Sequence, residues 1–131
     1  MKPSLKNWLM IIGGIIMTNT ACTHPAINLS KAKTIELVVW QPVPGVSEEE
    51  VRAKALAVSD FLKKQPGFLY RDLAKNTEGE WVDYIYWEND AAADLALEAS
   101  QESALCAPFF AVIDMEKAKM SRYQSLGKSF P

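Results

Sequence analysis

The pattern of apolar and polar positions divides most of the chain into strand-like and helix-like segments. Three runs that hold β-branched or aromatic residues predict strands at 34–40, 68–74 and 80–88. Alternation with one polar side and lysines predicts a last strand, at the sheet edge, over 117–125. Apolar residues at helical spacing predict one helix after the first strand and another after the third, with a short helical piece over 108–114. The order β-α-β-β-α-β predicts an α+β, ferredoxin-like fold: a four-stranded antiparallel sheet with its helices on one face.

The first predicted helix has the clearest local signals. Ser47 is followed by three glutamates, which is a capping-box sequence at a helix N-terminus, and Pro66-Gly67 follows the helical spacing. The helix is therefore expected from 48 to about 64, and its predicted core positions are Val51, Ala55, Val58 and Leu62. The second helix follows Asn89-Asp90 and begins with three alanines, so it is expected to pack close to the sheet. Its predicted inner side holds Leu95, Ala96 and Ala99.

The first and third strands carry the candidate chemistry. We expect these strands to be neighbours in the sheet centre, parallel and in register. Glu36 and Trp40 share one face of the first strand, and Asp83 and Trp87 share one face of the third, because strand side chains alternate. The two acids would then be neighbours, as would the two indoles.

Two carboxylates in an enclosed apolar site repel each other, which raises the pKa of at least one and suits it to act as an acid or base. Glu36 and Asp83 are therefore the candidate catalytic residues, and the indoles would form an aromatic wall for a planar ligand. The alternative is structural: both tryptophans are core residues, and both acids pair with the backbone, with helix caps, or with Arg71 or Arg122.

Four segments of the chain resemble the dimeric α/β-barrel superfamily, and in particular its antibiotic-biosynthesis-monooxygenase-like branch. They are 43–49 (VPGVSEE), 65–68 (QPGF), 78–83 (EGEWVD) and 87–91 (WENDA). The resemblance covers about 33–126 and implies that the sheet face carrying Trp87 lines a cavity beneath the helices. Trp40, Trp87, Val38 and Ile85 are accordingly the predicted ligand-binding residues. The superfamily includes cofactor-free monooxygenases, haem-degrading proteins, dismutases and isomerases, so the fold does not fix an activity.

The haem-degrading branch of that superfamily does not fit the chain. Its pattern has an asparagine on the first strand, a tryptophan ending the third strand and a histidine on the following helix. Trp87 matches the tryptophan, but Val38 and Leu97 stand at the other two positions, so neither the side-chain donor nor the axial ligand is present. Motifs for nucleotide, flavin or metal binding are absent from the sequence, and no cofactor is predicted.

The central strands are apolar on both faces. Leu37-Val38-Val39 and Tyr84-Ile85-Tyr86 place nonpolar side chains at successive positions, while the helices cover one face only. We therefore expect a homodimer that joins through the other face into an α/β barrel, with Tyr84 and Tyr86 as dimer contacts. The alternative is that the chain's own tail covers this face.

The N-terminus has the layout of a secretory signal. Lys2 and Lys6 precede an uncharged apolar run over 8–17, and small and polar residues follow. The run would span roughly 15 Å as a helix, about half of a ~30 Å hydrocarbon core, so a membrane-spanning helix is not expected. The alternative to a signal is a buried N-terminal helix.

The end of the predicted signal, Thr20-Ala21-Cys22, resembles a bacterial lipoprotein signal, although Asn19 stands where leucine is usual. Residues 1–21 are thus the predicted signal peptide, with either lipidation of Cys22 or simple secretion, and the mature protein is expected in the periplasm or cell envelope. Residues 22–33 are expected to form a tether, followed by the domain over 34–126 and a tail over 127–131. His24 lies in the tether and is expected to be solvated.

Composition excludes several classes of function. The chain has 131 residues, 49% of them hydrophobic, and a net charge of −2, which is typical of one folded domain. An acidic chain has no electrostatic footprint for nucleic acid or anionic lipid, and two cysteines do not make a disulfide scaffold. Cys106 is expected as a buried thiol, the alternatives being a nucleophile near a helix N-terminus or, if Cys22 carries no lipid, a disulfide with Cys22.

Two functions remain. One is a dimer that binds a small, aromatic ligand without catalysis; the other is a cofactor-independent monooxygenase in which Glu36 or Asp83 is the base. Two neighbouring acids would suit a cationic or hydrogen-bond-donating ligand better than an anion, which favours the binding function over the monooxygenase.

Overall fold

The computed structural model of the protein describes residues 27–129, and the predicted signal peptide, Cys22 and His24 lie outside that range. Four strands form one antiparallel sheet in the order β2-β3-β1-β4, which confirms the ferredoxin-like fold. Within the described range, no helix is long and apolar enough to cross a membrane. The elements are β1 (Thr34–Trp40), α1 (Glu48–Leu62), β2 (Phe68–Lys75), β3 (Trp81–Trp87), α2 (Asp90–Gln101), α3 (Ala107–Phe110) and β4 (Lys119–Gln124), preceded by a 3-10 turn at Leu29–Lys31.

The predicted direction of β3 relative to β1 is wrong. The two strands are central neighbours, as expected, but they run antiparallel. The helical crossover through α1 returns β2 in the same direction as β1, and the tight turn at 76–79 then reverses the chain into β3 between them. As a result the two acids are not opposite each other, and neither are the two tryptophans. The register pairs Thr34 with Trp87, Glu36 with Ile85, Val38 with Asp83 and Trp40 with Trp81.

Helix α1 follows its sequence signals closely. The Ser47 hydroxyl accepts a hydrogen bond from the Glu50 amide at 3.2 Å, as the capping-box sequence predicts. The Glu50 carboxylate does not reach back to Ser47 but pairs with Lys54 one turn along the helix. All four predicted core positions of the helix are buried, together with Phe61.

Helix α2 is rotated relative to the prediction. Asn89 caps it by accepting a hydrogen bond from the Ala92 amide at 2.9 Å. Leu95 is 63% exposed and Ala99 is also exposed, so the predicted inner side is wrong for these two residues. The side chains that face the core are small, which lets the helix lie close to the sheet: they are Ala93, Ala96 and Ser100.

Parts of the predicted tether and tail are packed on one end of the sheet. Ala32 is buried, and the Lys33 amide donates to the Trp87 carbonyl at 3.1 Å. The ammonium group of Lys128 donates to the Ala32 carbonyl at 2.7 Å, and the Ser125 amide donates to the Lys33 carbonyl at 2.8 Å. These contacts bring both ends of the domain together beside Trp87.

The sheet face opposite the helices is mostly apolar and aromatic, with the polar residues Asp72, Ser121 and Lys119 on its two edge strands. Its side chains are half-buried or exposed, and Tyr84 and Tyr123 are 40% and 54% exposed. The register assigns to this face Ile35, Leu37, Val39, Tyr70, Val82, Tyr84, Tyr86 and Tyr123. A contiguous aromatic surface of this kind is typical of a binding interface.

Candidate ligand-binding site

A cavity of about 460 Å³ lies between the sheet and the helices. A volume of this order is typical of small-molecule sites, and so is the mostly apolar wall. All four strands of the sheet contribute lining residues, and α1, α2 and the segment that contains α3 supply the remainder. The apolar lining residues are Val38, Val58, Phe61, Leu62, Ile85, Trp87, Ala96, Leu97, Phe109, Phe110, Ile113, Met115, Ala118 and Met120.

Of the four residues predicted to bind ligand, Val38, Ile85 and Trp87 line this cavity. Trp40 lies outside the lining and is fully buried in the core. Its ring stacks on Trp81 with centroids 5.2 Å apart and meets Phe109 edge-on at 5.1 Å. The structure therefore separates the two indoles that the sequence placed in one wall.

Trp87 lines the cavity and carries an unsatisfied polar group. The residue is 1% exposed, and its ring packs edge-on against Phe68 at 5.7 Å. The indole Nε1 is buried and has no hydrogen-bond acceptor among residues 27–129. A buried N–H group without an acceptor costs roughly 1–3 kcal/mol, so an acceptor atom brought by a ligand would remove a real penalty.

Asp83 lines the cavity, but its carboxylate is already engaged on both oxygens. Arg71 Nε donates to Oδ1 at 2.6 Å, and Trp40 Nε1 donates to Oδ2 at 3.2 Å. Both partners of the ion pair are buried, with side chains 4% exposed for Arg71 and 5% for Asp83. Arg71 Nη1 also donates to the Ala55 carbonyl at 2.5 Å and to the Ser59 hydroxyl at 3.2 Å, so the pair ties β2 and β3 to α1.

Glu36 is buried behind the cavity rather than in its wall. Arg122 Nε donates to its Oε2 at 2.9 Å, and the same guanidinium pairs with Asp94 on α2. Burial raises the pKa of Glu36, and the neighbouring Arg122 opposes that rise. This cluster joins β1, β4 and α2 at one side of the cavity.

The two candidate catalytic acids thus share a face but each pairs with an arginine. These are Arg71 and Arg122, the partners that the structural alternative named. Their pairing removes the reason to expect a cationic ligand, because the cavity presents no free pair of negative charges. The catalytic roles of Glu36 and Asp83 stay predictions.

Several lining residues had no recognisable signal in the sequence. Phe109 and Phe110 lie in the short helical piece predicted over 108–114 and Met115 follows it, but the pattern of that segment does not indicate a position at the cavity. Arg71 is named by the sequence only as an alternative partner of the acids. Cys106 also lines the cavity and is fully buried; burial raises the pKa of its thiol, which favours the protonated form over a nucleophile. Its predicted disulfide partner, Cys22, lies outside the described residues. Within residues 27–129, no group of three His, Cys, Asp or Glu side chains is placed to hold a metal ion.

Replacing Glu36 with glutamine is expected to change how stability depends on pH. Because burial raises the pKa of Glu36 in the folded protein, the folded state holds this proton to a higher pH than the unfolded chain. Below its pKa in the unfolded chain, Glu36 is protonated in both states. As the pH rises from that value through the pKa in the folded protein, the unfolded chain releases the proton first, so the wild-type protein loses stability. Glutamine keeps the shape and does not titrate, so the stability of the variant relative to wild type should increase as the pH rises above about 4, the pKa of glutamate in the unfolded chain.

Urea unfolding at several pH values measures this difference. Glu98→Gln, an exposed carboxylate on α2, is the matched control and should leave the difference from wild type flat. A flat difference for Glu36→Gln as well would contradict the expectation.

Solved structures with a similar fold include two oxygenases. A monooxygenase from the gene ActVA-Orf6 of Streptomyces coelicolor, in complex with nanaomycin D, has a TM-score of 0.60 and 21% identity over 81% of this chain and 98% of that chain. A mutant of SnoaB, a cofactor-independent oxygenase from Streptomyces nogalater, has a TM-score of 0.60 and 17% identity over 74% and 97%. A dimeric ferredoxin-like protein from an uncultured marine organism has a TM-score of 0.58 and 10% identity over 79% and 96%.

The chain has the fold of these three proteins. At such identities, the similarity establishes the fold and leaves the activity open. Neither a scan against protein-family models nor a search of curated proteins finds a match. The resemblance read from the four sequence segments is thus confirmed at the level of the fold.

Proposed function

We propose that the cavity binds a small aromatic ligand that presents an acceptor oxygen to Trp87. The observation that carries this proposal is the indole N–H of Trp87, a residue that lines the cavity: the group is buried and has no acceptor among residues 27–129. Native proteins satisfy nearly all of their buried polar groups, so a donor left open at a cavity points to a partner that arrives from solution. The aromatic and aliphatic lining suits a planar ring.

The polarity of this site follows from its ion pairs. Asp83 is neutralised by Arg71 and accepts hydrogen bonds from protein groups on both oxygens. The donor that still lacks a partner is therefore the indole N–H of Trp87. A hydrogen-bond donor binds an acceptor such as a carbonyl, quinone or phenolate oxygen rather than a cation.

Replacing Trp87 with phenylalanine is expected to weaken binding of 1,4-naphthoquinone by about tenfold, since it removes one buried hydrogen bond and keeps an aromatic ring. Binding of naphthalene, which has no acceptor, should change much less. Isothermal titration calorimetry of both compounds measures the two effects. Trp81→Phe is the matched control, because Trp81 is buried on the same strand but lies outside the cavity lining.

Equal affinity of wild type and Trp87→Phe for the quinone would count against the role of the indole. Failure of the wild-type protein to bind either compound would remove the proposed function itself.

A second candidate function is a cofactor-independent monooxygenase. The specific support is that two proteins of the same fold are oxygenases, one of them described as cofactor-independent. In this proposal a phenol or hydroquinone loses a proton in the cavity and its anion reacts with dioxygen. Trp87 would stabilise the anionic oxygen, and Asp83, the carboxylate in the wall, would accept the proton through a remaining lone pair.

Oxygen uptake with a panel of phenols and hydroquinones tests the second candidate. Asp83→Asn should lower uptake, whereas Glu36→Gln, which changes the buried acid outside the lining, should preserve it. Folding of each variant is checked by circular dichroism. Negligible uptake by the wild-type protein would eliminate the monooxygenase and leave the binding function in place.

We also propose that the protein is a homodimer joined through the aromatic face of the sheet. The exposed tyrosines on that face support the proposal, as does the dimeric state named for one protein of the same fold. Sedimentation of the wild-type domain should give a dimer, and Tyr84→Glu should give a monomer. Leu95→Glu, on the exposed side of α2, is the control that should leave the dimer intact, and a wild-type monomer would refute the proposal.

Export to the cell envelope is a further proposal, supported by the sequence pattern of residues 1–22. Mass spectrometry of the mature N-terminus tests it directly. Lipid on Cys22 would establish an anchored form, and cleavage without lipid a secreted form. An N-terminus that retains Lys2 and Lys6 would rule out a cleaved signal.

A further inference from the structure

The cavity has a buried polar end and an exposed apolar end. Trp87 and Arg71 belong to the buried end, with the ring of the first 1% exposed and the side chain of the second 4% exposed. Leu97, Met115 and Met120 also line the cavity, but they are 37%, 66% and 43% exposed. These three side chains, called the apolar mouth below, therefore mark where the cavity meets solvent between α2 and β4.

The buried end offers hydrogen-bond donors. Arg71 pairs with Ile85 across β2 and β3, and Trp87 lies two residues beyond Ile85 on the same face. This diagonal arrangement places the two side chains roughly 7–8 Å apart at their backbones, within reach of one polar head group. Arg71 uses Nε and Nη1 on protein acceptors, and within residues 27–129 its Nη2 makes no hydrogen bond.

The apolar mouth has the opposite chemistry. Exposed apolar side chains that are continuous with a cavity wall mark a binding surface rather than an ordinary solvated one. Two of the three are methionines, whose unbranched and flexible side chains adapt to a partner without a fixed shape. A part of the ligand that extends out of the cavity through this opening would lie against these side chains and shield them from water.

We infer that the ligand is an amphiphile: a ring whose acceptor oxygen meets Trp87 and Arg71, with an aliphatic chain that leaves through the apolar mouth. The inference rests on the proposed binding function and adds the second half of the ligand. An aromatic ring alone would satisfy the donors but leave Leu97, Met115 and Met120 in water. An aliphatic chain attached to the ring buries them, and its conformational freedom matches that of the methionines.

The experiment compares 1,4-naphthoquinone with 2-alkyl derivatives of increasing chain length, from methyl to octyl, by isothermal titration calorimetry below their solubility limits. Each added methylene that contacts the mouth should tighten binding by up to about fourfold, until the chain extends past the rim and the gain stops. In Leu97→Gln and Met120→Gln the gain per methylene, measured relative to each variant's own affinity for the parent quinone, should fall below the wild-type gain.

Leu95→Gln is the matched control, because Leu95 is exposed on the same helix but lies outside the cavity lining. Its gain per methylene should equal that of wild type. Binding of the parent quinone with no dependence on chain length, or the same dependence in Leu97→Gln and wild type, would overturn the amphiphile while the proposed function survives. Loss of dimerisation in Leu97→Gln or Met120→Gln would also overturn it, by showing that a second copy covers the mouth. If the wild-type protein binds no quinone at all, the proposed function is wrong, and the inference of an amphiphilic ligand fails with it.

Discussion

Asp83→Asn is expected to lower the free energy of unfolding by about 3–5 kcal/mol, the usual result of removing one partner from a buried ion pair. Arg71 keeps its charge at neutral pH but loses the carboxylate that compensates it in an interior site. Trp40 retains an acceptor, since the asparagine side chain still carries one oxygen. The expected cost therefore comes mainly from the stranded guanidinium.

Urea denaturation of the purified domain measures this loss. Asp72→Asn is the control, because Asp72 lies on the neighbouring strand with its side chain exposed, and it should change stability by less than about 0.5 kcal/mol. The double variant Arg71→Gln/Asp83→Asn should lose less stability than the sum of the two single variants. Each single change leaves one buried charge without its partner, whereas the double change leaves neither charge in place. A loss below about 1 kcal/mol for Asp83→Asn would show that the pair does not stabilise the fold as its burial implies.

Among the glycines of residues 27–129, Gly67 should be the most damaging to replace with alanine, with an expected loss of about 3 kcal/mol. Gly67 has a φ of +80°, a left-handed conformation that costs an L-residue about 1–2 kcal/mol. A Cβ at this position would also lie 2.6 Å from the Cβ of Ala92, so the turn after α1 would have to move away from α2. Displacing packed backbone and side chains adds roughly 1–3 kcal/mol.

Gly79→Ala separates the two contributions. Its φ is +85°, yet an added Cβ would meet no atom within 4 Å. Its loss should therefore be the conformational cost alone, about 1 kcal/mol. Thermal or urea unfolding of the two variants gives the difference, and equal losses would show that the approach of α2 to the turn is not tight.

Local sequence signals predicted the elements well because they act over a few residues. The capping sequence at Ser47 and the alternation in β1 and β3 describe contacts within one element, and the structure has those elements at nearly the expected bounds. The inner side of α2 was harder to predict, because most of its apolar residues are alanines, which carry little apolar area. Leu95 and Leu97 are its two largest apolar residues, yet close packing selects Ala93 and Ala96 for the interface with the core.

Relations between strands were predictable only in part. Alternation correctly put Val38, Asp83, Ile85 and Trp87 on the cavity face, because parity within a strand does not depend on direction. Which residues stand opposite each other depends on strand direction and register, and an incorrect direction placed Trp40 beside Trp87. The ion pairs could be anticipated as alternatives, but choosing among partners needs distances between segments that lie far apart in sequence, as Glu36 and Arg122 do.

The antiparallel register of β1 and β3 gives the two ends of this strand pair different aromatic arrangements. At one end, the indoles of residues 40 and 81 lie face to face and close the interior. At the other, the buried indole N–H of residue 87 has no acceptor among residues 27–129. Substitutions at the two ends should therefore differ in effect: those at residues 40 and 81 remove stacked aromatic packing, whereas those at residue 87 remove packing together with a donor that no described residue uses.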